Sequence, residues 1–331
     1  MQMENNKVEH SGLILVDKPV GVTSFSIDSR LKKILGQKSV GHLGTLDPFA
    51  SGLLPICVGK GLRMLRFAEH HDKRYLCTAR IGYETDTMDS EGSITSDKVV
   101  LSSKEYEDLR ESGFAPIYEA FEEIRNSKTQ IPPKYSAKKI NGKKAYELAR
   151  AGVEFELKPA PIEILNLEVN SISRDEETNL IDVEFDVSCS KGTYIRVICS
   201  DLGRKSGLGG AFATTLRRLN SGNLSVKNAF TMEQIEEMAK AGNFEFITDA
   251  NVLVEHMPKL YLNDAQARMV SNGRKLDAKY FARDIKGHEV GTKYRAIHNG
   301  ELVAIVYDCF EKDKNTGETH HIIRIERMLL C

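Results

Sequence analysis

Apolar positions along the chain recur with two different periods. From Lys73 to Ile81 they alternate, with Tyr75, Cys77, Ala79 and Ile81 on one face and Arg74, Leu76, Thr78 and Arg80 on the other. That is the pattern of a strand with one buried face. Ile181, Val183, Phe185, Val187 and Cys189 repeat it, residues 154–171 also read as strand, and Leu13–Val16 is a short buried run. The helical period appears in Ile27, Leu31, Ile34 and Leu35, with Thr23 or Ser24 as cap and Gly36 as stop. Helices are also predicted near 61–71, 102–112 and 116–126. Another starts near Thr193, with Ile195, Ile198 and Leu202 inward, and ends before Gly207. Over 232–240 a helix follows Thr231 and Gln234, which form a capping box.

Beyond about residue 250 the pattern changes to short strands. Asn263 can cap a helical patch over Asp264–Ser271, Tyr294–Val303 reads as a hairpin turned at Asn299-Gly300, and His320–Met328 as a last strand. A chain of 331 residues is expected to form two domains. The change of pattern divides it into 1–248 and 249–331.

A hydrophobic content of 41% is enough for ordinary cores. No apolar run approaches the roughly eighteen residues a bilayer span needs, and no charged-then-apolar leader opens the chain. Cysteines 57, 77, 189, 199, 309 and 331 form no CxxC pair and no ligand spacing with histidine. They read as reduced thiols of a cytoplasmic protein without a metal. The segment Thr85–Gly92 resembles the start of a calcium loop in Asp86, Asp89 and Gly92, but lacks the later ligands, and is expected to be a solvated turn.

The net charge of −1 does not point to a nucleic-acid binder, yet it conceals a local excess. Residues 125–150 hold eight cations against one anion, Glu147, a charge of +7, with Tyr135 and Tyr146 interleaved and Pro132-Pro133 and Asn141-Gly142 as punctuation. A charge run is usually a solvated face. Cations interleaved with aromatics on a turn-rich segment fit better a clamp on an RNA backbone.

The candidate chemistry lies in Gly41-His42-Leu43-Gly44-Thr45-Leu46-Asp47-Pro48. Pro48 disfavours the helical region for Asp47, so one carboxylate is set on an extended or turning backbone. Gly41 and Gly44 are expected to take conformations closed to other residues. The segment resembles the catalytic motif of the TruB family of tRNA pseudouridine synthases, with Leu43 where a threonine is usual. Four further stretches resemble the same family in the same order: Asp17–Ser24, Lys73-Arg74-Tyr75, residues 131–152 and Cys189–Arg196. Thr214–Leu219 is similar to the strand that ends the pattern.

The resemblance implies an α+β fold: a mixed, largely antiparallel sheet with flanking helices and a basic thumb-like insertion over about 125–152. A small β-rich PUA-like RNA-binding domain would follow over 249–331. It implies isomerisation of the uridine at position 55 in the T-arm loop of tRNA. The N1–C1′ bond breaks, the base turns, and it rejoins through C5, with neither metal nor cofactor. Asp47 would be the nucleophile, adding to C6 or capturing C1′, with a route through proton loss from the ribose also open. Arg196 would hold Asp47 ionised through a forked pair of hydrogen bonds. Tyr75 would stack on the extruded base and stand near enough to help remove the C5 proton. Leu216 would lie beneath the base, Lys18 in the floor of the site, and His42 in the gap left by the flipped nucleotide. Tyr194, Tyr135 and Lys139 complete the expected RNA contacts. The partner is then tRNA, with no membrane, no required protein partner and a monomeric chain. An alternative is an RNA-binding module or tRNA folding chaperone on the same fold. A hydrolytic glycosidase is a second rival; it needs another carboxylate as general acid, and none lies in the matched motifs.

Overall fold

A computed structural model describes residues 9–68, 72–140, 142–313 and 317–329. His71 at the predicted helix end, Asn141 of the Asn-Gly turn, Cys331 and residues 1–8 of the polar N-terminus lie outside the described residues.

Among the described residues the alternating segments assemble into one nine-stranded sheet. Its main strands are β1 (Gly12–Lys18), β2 (Val40–His42), β3 (Ser51–Val58), β4 (Lys73–Ile81), β5 (Ile164–Arg174), β6 (Ile181–Cys189) and β7 (Ala211–Ser221). They lie side by side as β1-β3-β7-β4-β6-β5, with Ile247–Thr248 on the far edge of β1 and β2 beside β3. The pairings are antiparallel except β3 with β7. That parallel contact sets Arg218 of β7 opposite Gly52 at the start of β3, just after the Asp47 loop. Gly52 has φ of 97°, and a Cβ there would come within 2.3 Å of the Arg218 carbonyl oxygen, so only glycine permits the approach.

Helix α1 (Ser24–Leu35) starts as expected, with the Thr23 side chain accepting from the Ser26 amide, and stops at Gly36 with φ of 62°. Helices α2 (Ala115–Asn126) and α3 (Ile195–Ser206) cover the sheet, burying Ile117, Phe121, Ile198 and Leu202 against Phe185, Cys77 and their neighbours. The Phe121 and Phe185 rings lie 5.2 Å apart. The site-bearing residues of α3 are therefore fixed by a packed core.

Among the described residues the C-terminal unit is a five-stranded sheet in the order Lys259–Tyr261, Lys293–His298, Glu301–Lys312, Thr319–Met328 and Leu276–Asp277. Its hairpin turns at Asn299 and Gly300, both with positive φ (50° and 85°), as a two-residue loop between twisted strands requires. Leu253, Val254, Ile305 and Leu329 pack on Leu13, Leu53, Cys57, Met64 and Phe67, so one apolar cluster spans both parts of the chain.

Two elements differ from expectation. The strand predicted over 154–171 begins only at Ile164, and Ala160–Pro161 pairs instead with Thr129–Gln130. Pro159 and Pro161 cannot donate to a ladder, which keeps this stretch out of the sheet. The segment from Gly59 to Ala68 is a 3₁₀ turn to Met64 and one α turn from Leu65.

Candidate active site

The Asp47 loop is held from three sides. Ser24, at the start of α1, donates its hydroxyl to the Leu46 carbonyl at 3.0 Å and accepts from the Leu46 amide at 2.9 Å. Lys18, at the end of β1 and fully buried, donates from Nζ to Pro19 (2.9 Å), Val22 (2.8 Å) and Pro48 (3.4 Å) carbonyls. Burial lowers its pKa to about 8, against the opposing pull of the Asp47 and Glu91 carboxylates. Arg218 donates from Nη2 to the Gly44 carbonyl at 2.8 Å. Gly44 has φ of 69°, as expected; Gly41 is not in the left-handed region, and a Cβ there would come within 3.0 Å of Leu62 Cδ2. Gly41 is small because a side chain packs on it.

Arg196, on the first turn of α3, reaches the loop from the opposite wall. Its Nη2 lies 3.0 Å from Asp47 Oδ2 and donates to the Tyr135 carbonyl at 2.9 Å. Its Nη1 donates to the Thr87 carbonyl at 2.6 Å and lies 3.3 Å from Asp89 Oδ2. The expected fork on Asp47 is therefore absent. One guanidinium arm goes to Asp47 and the other to Asp89. The Asp89 carboxylate is otherwise engaged, since Oδ1 accepts from the Thr87 hydroxyl (2.6 Å) and the Glu91 amide (3.1 Å). The turn carrying it is solvated at Asp86, Ser90 and Glu91, as expected, but Thr85 and Asp89 are buried, and Asp89 bridges to Ala213 of β7.

The side chains of Arg196 and Asp89 are only 5% and 6% exposed, whereas Asp47 keeps 40%. Asp47 is the reachable carboxylate of the trio. The protein around it nonetheless raises its pKa above the ordinary carboxylate range. Burial is the leading cause and Asp89 adds to it, while Arg196 and Lys18 oppose. Arg196 and Lys18 together do not offset burial and the Asp89 charge.

The sheet supplies the floor. Tyr75 of β4 stands directly across from Arg218 of β7, and Leu216 sits two residues before Arg218 on the same face. All three are buried. Burial also pushes the Tyr75 phenol up, with the Arg218 charge and hydrogen bond opposing. Tyr194 precedes α3, and its amide and carbonyl are clasped by the Gln130 side chain at 2.9 and 3.1 Å. Asp47, Tyr75, Tyr194, Arg196, Leu216 and Arg218 line one cavity of about 400 Å³.

The other sequence-predicted residues lie around it. His42 is held at both ring nitrogens, by Asp28 Oδ2 at 2.8 Å and Thr45 Oγ1 at 3.1 Å, with its side chain 8% exposed. Tyr135 meets Arg196 through its backbone. Lys139 is exposed on a small hairpin, paired with Lys144, outside the cavity. The basic insertion still leans toward the site, with Lys144 Nζ 5.3 Å from the Phe25 ring centroid. Sequence reasoning missed Asp89 and Arg218. Alternation from Leu216 would have placed Arg218 inward; no local pattern marks Asp89. Among the described residues no cluster of three His, Cys, Asp or Glu side chains could hold a metal.

This arrangement, one accessible carboxylate beside a buried guanidinium above an aromatic floor, can attack an extruded ring or sugar. Residues 32–195 match the profile of the TruB family pseudouridylate synthase N-terminal domain. A relative from Alkaliphilus oremlandii, named tRNA pseudouridine synthase B, is 35% identical over 92% of this chain and 100% of its own length. The chain belongs to the TruB family. It is accordingly an enzyme of the pseudouridine synthase class, an isomerase. A second TruB relative of the same name, from Corynebacterium jeikeium, is 42% identical over 70% of this chain and 72% of its own. Two solved structures share the fold. A Cbf5–Nop10–Gar1 complex aligns with TM-score 0.67 and 24% identity, covering 96% of this chain and 85% of that one. An H/ACA RNP bound to a substrate RNA containing 2′-deoxyuridine aligns with TM-score 0.65 and 22% identity, covering 97% and 85%. The TruB profile takes in Asp47, Asp89, Tyr75 and the insertion, while Lys18, Arg196, Leu216 and Arg218 lie outside it.

Proposed function

We propose that this protein isomerises the uridine at position 55 in the T-arm loop of tRNA, with Asp47 as nucleophile. The observation that carries the reading is the Asp47–Arg196 pair, 3.0 Å apart, at a cavity floored by Tyr75 and Leu216. Tyr75 stacks on the extruded base, recovering part of the few kcal/mol that flipping costs, and Leu216 supports the ring from below. Arg196 orients Asp47; Lys18 ties the loop to the end of β1. Tyr194, Tyr135 and Lys139 contact the RNA, and His42 fills the gap in the stack once its hold on Thr45 is released.

The relatives named tRNA pseudouridine synthase B support tRNA as the substrate. The basic insertion supports a stand-alone enzyme that grips its RNA without a protein partner, as a monomer. Residues 1–248 carry catalysis, and 249–331 form a PUA-like unit that adds RNA affinity. Among the described residues no helix is long and apolar enough to cross a membrane, in keeping with work on tRNA in the cytoplasm.

The test is incubation of the purified chain with a T-arm stem-loop and chemical mapping of pseudouridine, with free uracil measured in parallel. Conversion at position 55 without uracil is expected. Binding without conversion, or release of uracil, would overturn the reading.

A further inference from the structure

We propose that Arg218 is a further catalytic group, which stabilises the negative charge that develops on uracil as the N1–C1′ bond breaks. The inference rests on the isomerase reading above and names a residue that reading does not use. Arg218 is 1% exposed, yet its hydrogen bonds run to neutral groups, the Leu53 carbonyl through Nε at 2.6 Å, the Gly44 carbonyl through Nη2 at 2.8 Å, and the Tyr75 phenol. Among the described residues it makes no ion pair, whereas its neighbour Arg217 is paired bidentately with Asp17 at 2.7 and 2.9 Å. A buried cation without a carboxylate is costly to keep. A charge held in this way inside a reactive cavity is suited to an anion that exists only during the reaction.

The sheet register says where that anion forms. Arg218 is the cross-strand neighbour of Tyr75 on the same face, so a ring stacked on Tyr75 lies beside the guanidinium. Asp47 and Arg196 approach from the other wall of the cavity. Lys73 strengthens the same end: an atom built out from Gly44 meets Arg218 Nη1 at 3.3 Å and Lys73 Cε at 3.6 Å. Burial lowers the Lys73 pKa, the Arg218 and Lys191 charges add to that, and Cys189 and Asp72 oppose.

When the N1–C1′ bond breaks, its electron pair passes to the ring and is shared among N1, O2 and O4. C1′ is left electron-poor and is covered by Asp47 or by the sugar, according to route. The pair returns as C5 bonds to C1′. The proton lost from C5 balances the one gained at N1, so the product is an isomer. Arg218 acts at the first of these steps, whichever route Asp47 takes.

The test is a comparison of leaving bases. Single-turnover cleavage of the N1–C1′ bond is measured on T-arm stem-loops carrying uridine or 5-fluorouridine at the target, with wild type, Arg218→Gln and Lys73→Gln. Fluorine makes the base anion less basic and less dependent on a cation. Arg218→Gln is expected to slow uridine by about 100-fold, with a defect on 5-fluorouridine at least about tenfold smaller. Equal defects on both bases would show a structural role and overturn the inference. If Arg218→Gln does not fold, Lys73→Gln, at a half-buried position, must show the same narrowing, and equal defects there overturn it. A wild-type chain that never converts uridine strikes the isomerase reading instead.

Discussion

Asp89 Oδ2 lies 3.3 Å from Arg196 Nη1, on the arm of the guanidinium not used by Asp47. Arg196 is thus a bridge between two carboxylates, one buried and one open to the cavity. Its orientation depends on a turn that lies outside the motifs first used to find the site.

Asp89→Asn is expected to have two separable effects. Loss of the ion pair loosens Arg196 and should lower turnover by roughly 10- to 100-fold, since small misplacements of reacting groups have costs of that size. Asp89 also raises the Asp47 pKa. Neutralising it should move the acid limb of the pH–rate profile to lower pH. A profile that stays in place while the rate falls would mean that Asp89 acts through geometry alone.

Asp47→Asn is expected to leave stability at neutral pH unchanged or slightly higher. Arg196 keeps Asp89 and the Thr87 and Tyr135 carbonyls, so its charge is not orphaned. The folded-state pKa of Asp47 lies above its reference value of 3.8. The folded chain therefore binds this proton more tightly than the unfolded chain, and the contribution to stability falls as pH rises through the folded value. Melting curves should show the variant's advantage at pH 7 shrinking as pH approaches 4. A clear loss of melting temperature at pH 7 would contradict this.

Lys18 should set an alkaline limit. With its pKa lowered to about 8, it loses its charge within the range of an ordinary assay, and with it one of the three N–H groups that hold the Pro19, Val22 and Pro48 carbonyls beside the Asp47 loop. Activity should decline above about pH 8 in wild type, and that limb should vanish in Lys18→Gln at a lower plateau. The sign for stability is the reverse of the usual lysine case. The unfolded chain holds the proton more tightly, so the Lys18 contribution rises with pH between about 8 and the reference value of 10.5.

Neutralising Lys138, Lys139, Lys143 and Lys144 together should weaken RNA binding more than chemistry. If two of the four touch phosphates, the slope of log affinity against log salt should fall by roughly 1.4 to 1.8. An unchanged slope would make them a solvated face.

Much of this was legible before the fold was known. Strands at 73–81 and 181–189 follow from strict alternation, α1 from its cap, its glycine stop and an apolar stripe, and α3 from its apolar stripe and its end before Gly207. Asp47, Tyr75 and Arg196 do share a cavity. What escaped was decided by contacts between distant segments. Asp89 looked solvated because its local sequence is a polar turn, and its bridge to Ala213 and its contact with Arg196 come from distant segments. The fork expected on Asp47 was drawn from the guanidinium's shape, but a second carboxylate took one arm. The 154–171 strand overran because apolar alternation does not register what prolines 159 and 161 do to a ladder.

The central claim is that Asp47 forms the covalent bond, and the direct measurement is pseudouridine formation in a T-arm stem-loop by Asp47→Ala, with binding recorded on the same protein. Neither Tyr75 nor Arg196 offers a carboxylate in its place. Turnover should fall by on the order of 10⁴-fold or more, while affinity for tRNA changes by less than about tenfold, or 1.4 kcal/mol. Near-normal conversion by a folded Asp47→Ala chain would contradict it.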